Sequence, residues 1–212
     1  MNMDVVPAER PSVYLASKSP RRQELLRQLG VDFTPLLMRE AAGRPRDIVE
    51  IPRADEPPLE YVKRLARTKA SVGWHVMGRR GLAPKPMLGA DTEVVRDGAV
   101  LGKPSDAAGA VGNAATPLRP DARKSAPRWP SRWDKEINMV VSSSRVSFRA
   151  LTDDEIERYV ATGEPFDKAG AYAIQGRGAA FVSHLEGSYS GVMGLPLFET
   201  AGLLAKIGFP VL

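Results

Sequence analysis

The stretch YLASKSPRRQELLRQLG, residues 14–30, places the strongest constraint on the fold. Val13, Tyr14 and Leu15 read as a short buried strand that runs into a serine-containing turn. Ser19 suits a helix N-cap and Pro20 the first helical position, while Leu25, Leu26 and Leu29 form an apolar stripe and Gly30 suits the residue beyond the end. A strand that feeds a helix through so short a turn predicts an α/β protein, with the first helix over 20–29. Arg21 and Arg22 then occupy its first turn, where backbone N–H groups lack helical partners and positive charge opposes the helix dipole. Together with the Ser17 and Ser19 hydroxyls they form a cradle for phosphate. The alternative for both arginines is ordinary solvation.

A chain of 212 residues, 43% of them hydrophobic, can bury a single core. Its lack of cysteine excludes disulfides, thiolate metal sites and a thiol nucleophile, and fits a reducing compartment. No apolar run approaches a membrane span and the first residues lack a signal-peptide pattern, so a cytoplasmic protein is expected. The net charge of +5 raises nucleic-acid binding, but Arg119, Arg123, Lys124, Arg128 and Arg132 face only Asp121 within one stretch, which holds most of that excess. A nucleic-acid partner is therefore not expected.

Downstream, PPLEYVKRLARTKASVGW is amphipathic, with Leu59, Val62, Leu65, Ala66 and Ala70 on one side of a helix. Lys69 falls near the end of this segment, where a cation is favourable without any further role. MLGADTEVV reads as one strand, Asp97-Gly98 as a hairpin turn and AVLGKP as the returning strand, which brings Asp91 towards Lys103. An aspartate inside an apolar strand is costly to bury, so Asp91 requires a partner, a metal or a catalytic task. INMVVSSSRVSFRAL is a further strand. TDDEIERYVATG is a helix opened by a Thr152–Glu155 capping box and closed by Gly163, and LFETAGLLAKIG is the last helix. Between them lies a glycine-rich passage suited to close approach of a ligand. His75 and His184 have no metal-ligand or triad setting and read as structural.

In this order, LASKSPRRQELL, GADT, LGKP, DKAGAYAIQG and EGSYSGVMGLPL resemble the motifs of the Maf family of nucleoside triphosphate pyrophosphatases. The resemblance implies an elongated α/β fold, a mixed sheet with flanking helices, two lobes around a central cleft, and a homodimer. It implies hydrolysis of a nucleoside triphosphate to monophosphate and pyrophosphate, aided by a divalent cation such as Mg2+, Mn2+ or Co2+. Asp91 matches the proton acceptor, and Ser17, Arg21, Arg22, Lys69 and Lys103 match phosphate-binding positions. Asp91 and Glu50 match the metal ligands, with Asp47 as the alternative to Glu50. Thr92 and Gln175, joined by Arg21, match the branch that prefers dTTP and UTP, and an amide can both donate to and accept from a pyrimidine edge. The alternative is a nucleotide-binding or division-regulating relative with impaired catalysis.

Residues 108–131 depart from this pattern. Prolines 117, 120, 127 and 130 stand where the family carries a helix, the motif SGRTH and a strand resembling TAVAV. Such proline density predicts neither helix nor strand, and hence a lost sheet position and weak activity. The segment keeps the length of what it replaces, and one-base shifts of a suitable codon choice regenerate EMLRRLSGRTH and VRTAVAV. The stretch therefore reads as out of frame within a single domain spanning 1–212.

Overall fold

The computed structural model describes residues 11–39, 47–102, 104, 137–209 and 211, together with the backbone of 121–126. Its mixed α/β architecture distributes parallel and antiparallel pairing over two sheets. In the first, β1 (Ser12–Leu15) lies between β2 (Asp32–Pro35) and β3 (Met87–Leu88), parallel to both. A parallel strand covered on both faces needs apolar residues in both directions. Accordingly, Val13 and Leu15 pack with Leu25, Leu26, Leu203 and Leu204, whereas Tyr14 and Ala16 pack with Ala70, Val76 and Met77.

Three helices supply those faces: α1 (Pro20–Gln28), α2 (Pro58–Arg79) and, much later, the C-terminal helix Leu197–Lys206. Helix α1 begins as expected, with the Ser19 side chain accepting from the Arg22 amide and Pro20 in the first turn. It ends just before Gly30, which takes the left-handed conformation at φ 69°. Helix α2 runs well past Trp74 to Arg79, so Lys69 sits in its middle and not at its end. The favourable helix-terminus setting expected for Lys69 is therefore absent.

The second sheet is antiparallel, in the order β5 (Ala99–Leu101), β4 (Asp91–Arg96), β6 (Asp121–Ala126), β7 (Val140–Phe148) and β8 (Val182–Glu186). Asp97 and Gly98, both at positive φ, form the tight β4–β5 turn expected of an Asp-Gly pair. The expected single strand over MLGADTEVV is divided: β3 belongs to the first sheet, β4 to the second, and Gly89-Ala90 carries the chain across. Asp91 is thus the first residue of a strand at the junction of the sheets.

The sheet position expected to be lost is filled. β6 pairs with β4 and β7, in a proline-free hexapeptide bracketed by Pro120 and Pro127. Prolines are tolerated outside a strand, where they remove no ladder hydrogen bond. The residues on either side of it, 105–120 and 127–136, lie outside the described residues, as does Lys103. Helix α3 (Asp153–Ala161) covers this sheet and carries both hydrogen bonds of the expected capping box. Its Tyr159 packs with Val94, Val146, Tyr172 and Ile174. The short α4 (Tyr189–Met193) and the C-terminal α5 (Leu197–Lys206) complete the chain.

Candidate active site

Close approach between α2 and the β3–β4 crossing brings the first charges together. A Cβ at Gly89 would lie 2.6 Å from the Ala70 amide nitrogen and 2.7 Å from the Ala66 carbonyl, so only glycine admits the helix this closely. One turn of α2 thereby rests on the crossing, and Lys69 reaches Asp91 two residues farther on. Both side chains are buried. The Lys69 ammonium donates to Asp91 Oδ1 and lies 2.7 Å from Glu50 Oε1, bridging the two carboxylates. Asp91 Oδ2 is buried and has no hydrogen-bond partner among the described residues.

A third carboxylate adjoins this pair. Asp91 and Glu93 are two apart on β4, a spacing that puts their side chains on one face. Burial, and then the charge of Asp91, push the Glu93 carboxyl well above the usual carboxylate range. Tyr61, on the same helix as Lys69, is buried, and its hydroxyl pKa is raised by burial and by Glu93, Asp91 and Glu50. Neither Glu93 nor Tyr61 was singled out by the sequence reading, although the strand spacing of Glu93 was a usable signal.

The two arginines at the start of α1 do different things. Arg22 donates from Nε to the Gly194 carbonyl at 2.9 Å, from one terminal nitrogen to Ser17 Oγ at 3.3 Å, and from the other to Thr92 Oγ1 at 3.2 Å. It thus joins helix, strand β4 and the loop after α4. Its enclosure lowers its pKa, against the pull of Asp91 and Glu50. Arg21 lies 3.7 Å from Asp167, which also pairs with Lys168.

Ser17, Arg22 and Thr92 form one bonded set and Lys69, Glu50 and Asp91 another; the two adjoin, because Asp91 and Thr92 are successive on β4 and the charges of Asp91 and Glu50 act on Arg22. Arg21 stands beside them on α1, and Asp47 is elsewhere, accepting from the Arg39 amide at 2.7 Å. Glu50, not Asp47, is the acid that meets Lys69. Gln175 is exposed on a separate loop between α3 and β8. His75 bonds the Ser71 carbonyl within α2 at 2.7 Å and takes no part in either set.

A Maf-like protein model matches residues 12–207, which spans every element described here. The chain belongs to the Maf-like family. This Maf-like protein is 46% identical over 202 residues to a dTTP/UTP pyrophosphatase of Nitrosomonas europaea, covering 94% of this chain and 96% of that one. It is 50% identical over 194 residues to a dTTP/UTP pyrophosphatase of Nitrosospira multiformis, covering 92% and 93%. A third relative so named, from Aromatoleum aromaticum, is 48% identical over 207 residues, covering 94% and 97%.

The resemblance implies a divalent cation. The described residues include no group of three or more His, Asp or Glu placed to hold a metal. Asp91, with its unpartnered oxygen, and Glu50 offer two carboxylates, the hard oxygen donors that suit a cation completed by waters and substrate phosphates. That partial set fits.

Proposed function

We propose that this chain hydrolyses dTTP and UTP between the α- and β-phosphates, yielding the nucleoside monophosphate and pyrophosphate. The observation that carries the reading is the buried Asp91 carboxylate, with one oxygen held by Lys69 and the other unpartnered, beside Arg22, Ser17 and Thr92. Water adds to the α-phosphorus, its proton passes to Asp91 Oδ2, and the bond to the bridging oxygen breaks as pyrophosphate leaves. Lys69 holds Asp91 Oδ1 and so aims the carboxylate. Arg21 and Arg22, with Lys103, balance the triphosphate charge, and Ser17 donates to a phosphate oxygen.

Asp91 and Glu50 would hold a divalent cation, whose contribution is neutralisation of phosphate charge. Thr92, Arg21 and Gln175 select the pyrimidine. A cytoplasmic location and a homodimer belong to the same reading.

The test is product identity. Purified protein incubated with dTTP and Mg2+ is expected to form dTMP and pyrophosphate in equal amounts. Formation of dTDP and single phosphates refutes the reading.

A further inference from the structure

The loop that carries Gln175 is held at both ends by one pair of side chains. Glu164 Oε2 accepts from the Arg177 amide at 3.0 Å and Glu164 Oε1 from the Gly178 amide at 3.1 Å. The same carboxylate accepts the Tyr159 hydroxyl at 2.7 Å, and that hydroxyl oxygen accepts from the Ala173 amide at 3.1 Å. The clamp therefore grips residue 173 before Gln175 and residues 177 and 178 after it.

Two glycines make room for this seating. A Cβ at Gly176 would fall 2.4 Å from Glu164 Oε2, and one at Gly178 would fall 2.8 Å from the Tyr159 hydroxyl. The clamp is itself anchored: Tyr159 is buried in the core, edge-on to Phe181 with ring centroids 5.1 Å apart, and Thr162 Oγ1 accepts from the Glu164 amide at 3.2 Å. Burial raises the Glu164 pKa, but the bonds from Tyr159, Arg177 and Gly178 outweigh it and hold the carboxyl ionised.

This rigidity has a chemical use. Thymine and uracil present an acceptor where cytosine presents an amino donor. A side-chain amide reads either pattern, because turning it over exchanges its donor and acceptor ends. Discrimination therefore requires a backbone that fixes where the amide stands and which end faces the base.

We propose that Glu164, acting with Tyr159, is a positioning residue for base selection, and that it fixes the loop from which Gln175 meets the pyrimidine. The proposal rests on the reading that Gln175 contacts the base.

The test compares kcat/KM for dTTP and dCTP in the parent, Glu164→Gln, Tyr159→Phe, Gln175→Ala and the Glu164→Gln/Gln175→Ala double variant. Tyr159→Phe keeps the packed ring, so the proposal does not depend on Glu164→Gln folding well. Each single variant is expected to lose about tenfold in preference for dTTP, the equivalent of one charge-assisted hydrogen bond. For Glu164→Gln and Tyr159→Phe the loss falls on KM and not on kcat. The double variant matches Gln175→Ala alone, since both act through one contact. Parental selectivity in Glu164→Gln and Tyr159→Phe alongside lost selectivity in Gln175→Ala overturns the clamp and leaves the base reading standing. Losses that add in the double variant also overturn the clamp. Parental selectivity in Gln175→Ala overturns the base reading and the proposal with it.

Discussion

Lys69 and Asp91 form a buried ion pair between the middle of α2 and the first residue of β4, and only one oxygen of Asp91 takes part. A buried pair broken from one side costs far more than its net contribution, because the other charge is stranded. The two single substitutions are therefore unequal. Lys69→Met leaves Asp91 and Glu50 without their shared cation, and is expected to lower stability by about 3 kcal/mol in urea denaturation. Asp91→Asn leaves Lys69 paired with Glu50, 2.7 Å away, and is expected to unfold at nearly the parent's urea concentration. Its defect lies in turnover. A missing general base lowers kcat by roughly 10²–10⁴-fold, while dTTP still binds in equilibrium dialysis.

Arg22→Lys separates charge from geometry. The guanidinium serves three acceptors on three segments, Ser17, Thr92 and Gly194, and an ammonium at the end of a flexible stem cannot reach all three together. Stability is expected to fall by about 1–2 kcal/mol, with a rise in KM for dTTP larger than the fall in kcat. A variant with parental melting temperature and parental KM contradicts this assignment.

Much of this site was legible before the structure. The strand, serine turn and proline-led helix placed Ser17, Arg21 and Arg22 by local rules alone, and the oddity of an aspartate in an apolar strand marked Asp91. Lys69 was not legible from its surroundings, because its task depends on how closely α2 lies against Gly89, a tertiary distance with no trace in helical periodicity. The break of MLGADTEVV into two strands was hidden for the same reason: both halves read as extended, and only the change of sheet at Gly89-Ala90 divides them. Glu164 was hidden in another way. Two of its bonds go to backbone amides of residues 177 and 178, and backbone partners leave no signature in side-chain pattern.

Gly89→Ala tests that close approach directly. The added methyl would lie within 2.9 Å of the backbone of Ala66 and Ala70 and of the Ala70 Cβ, and backbone cannot swing aside as a side-chain tip can. Overpacking of this kind costs about 1–3 kcal/mol. Displacing α2 also separates Lys69 from Asp91, so kcat is expected to fall even where the protein remains folded. A variant with lowered melting temperature and unchanged kcat would show that the pair tolerates the shift.

Acid sensitivity is expected at the start of α3. Hydrogen bonds from Arg149, joined by the Thr152 backbone bond of the capping box, lower the Glu155 carboxyl to about 2 from an ordinary value near 4.5. A depressed carboxylate stabilises the fold above its unfolded pKa, and that contribution is lost as pH falls from about 4.5 through about 2. Glu155→Gln keeps the side-chain length that a capping box requires but removes the charge. It is expected to be less stable than the parent at pH 7 and equal to it near pH 2, as read from urea midpoints across that range. A constant difference between the two proteins at every pH would refute the linkage.

The central strand of the second sheet yields the last prediction. β6 is flanked on both sides by pairing strands, yet its residues read Asp-Ala-Arg-Lys-Ser-Ala, a composition poor in the β-branched and aromatic residues that suit such a place. The alternative frame supplies VRTAVAV next to this position, with the apolar alternation a covered strand calls for. Resequencing the codons for residues 105–135 is expected to show one-base slips near Gly112, Arg123 and Ser131. Mass mapping of peptides from the native protein should then recover VRTAVAV in place of KSAPRWP. An uninterrupted frame that encodes the written residues overturns this reading. In that case Asp121–Ala126 is itself the strand that supports Asp91 through the Asp91–Ser125 register, and proline at residue 123, within that ladder, is expected to abolish folding.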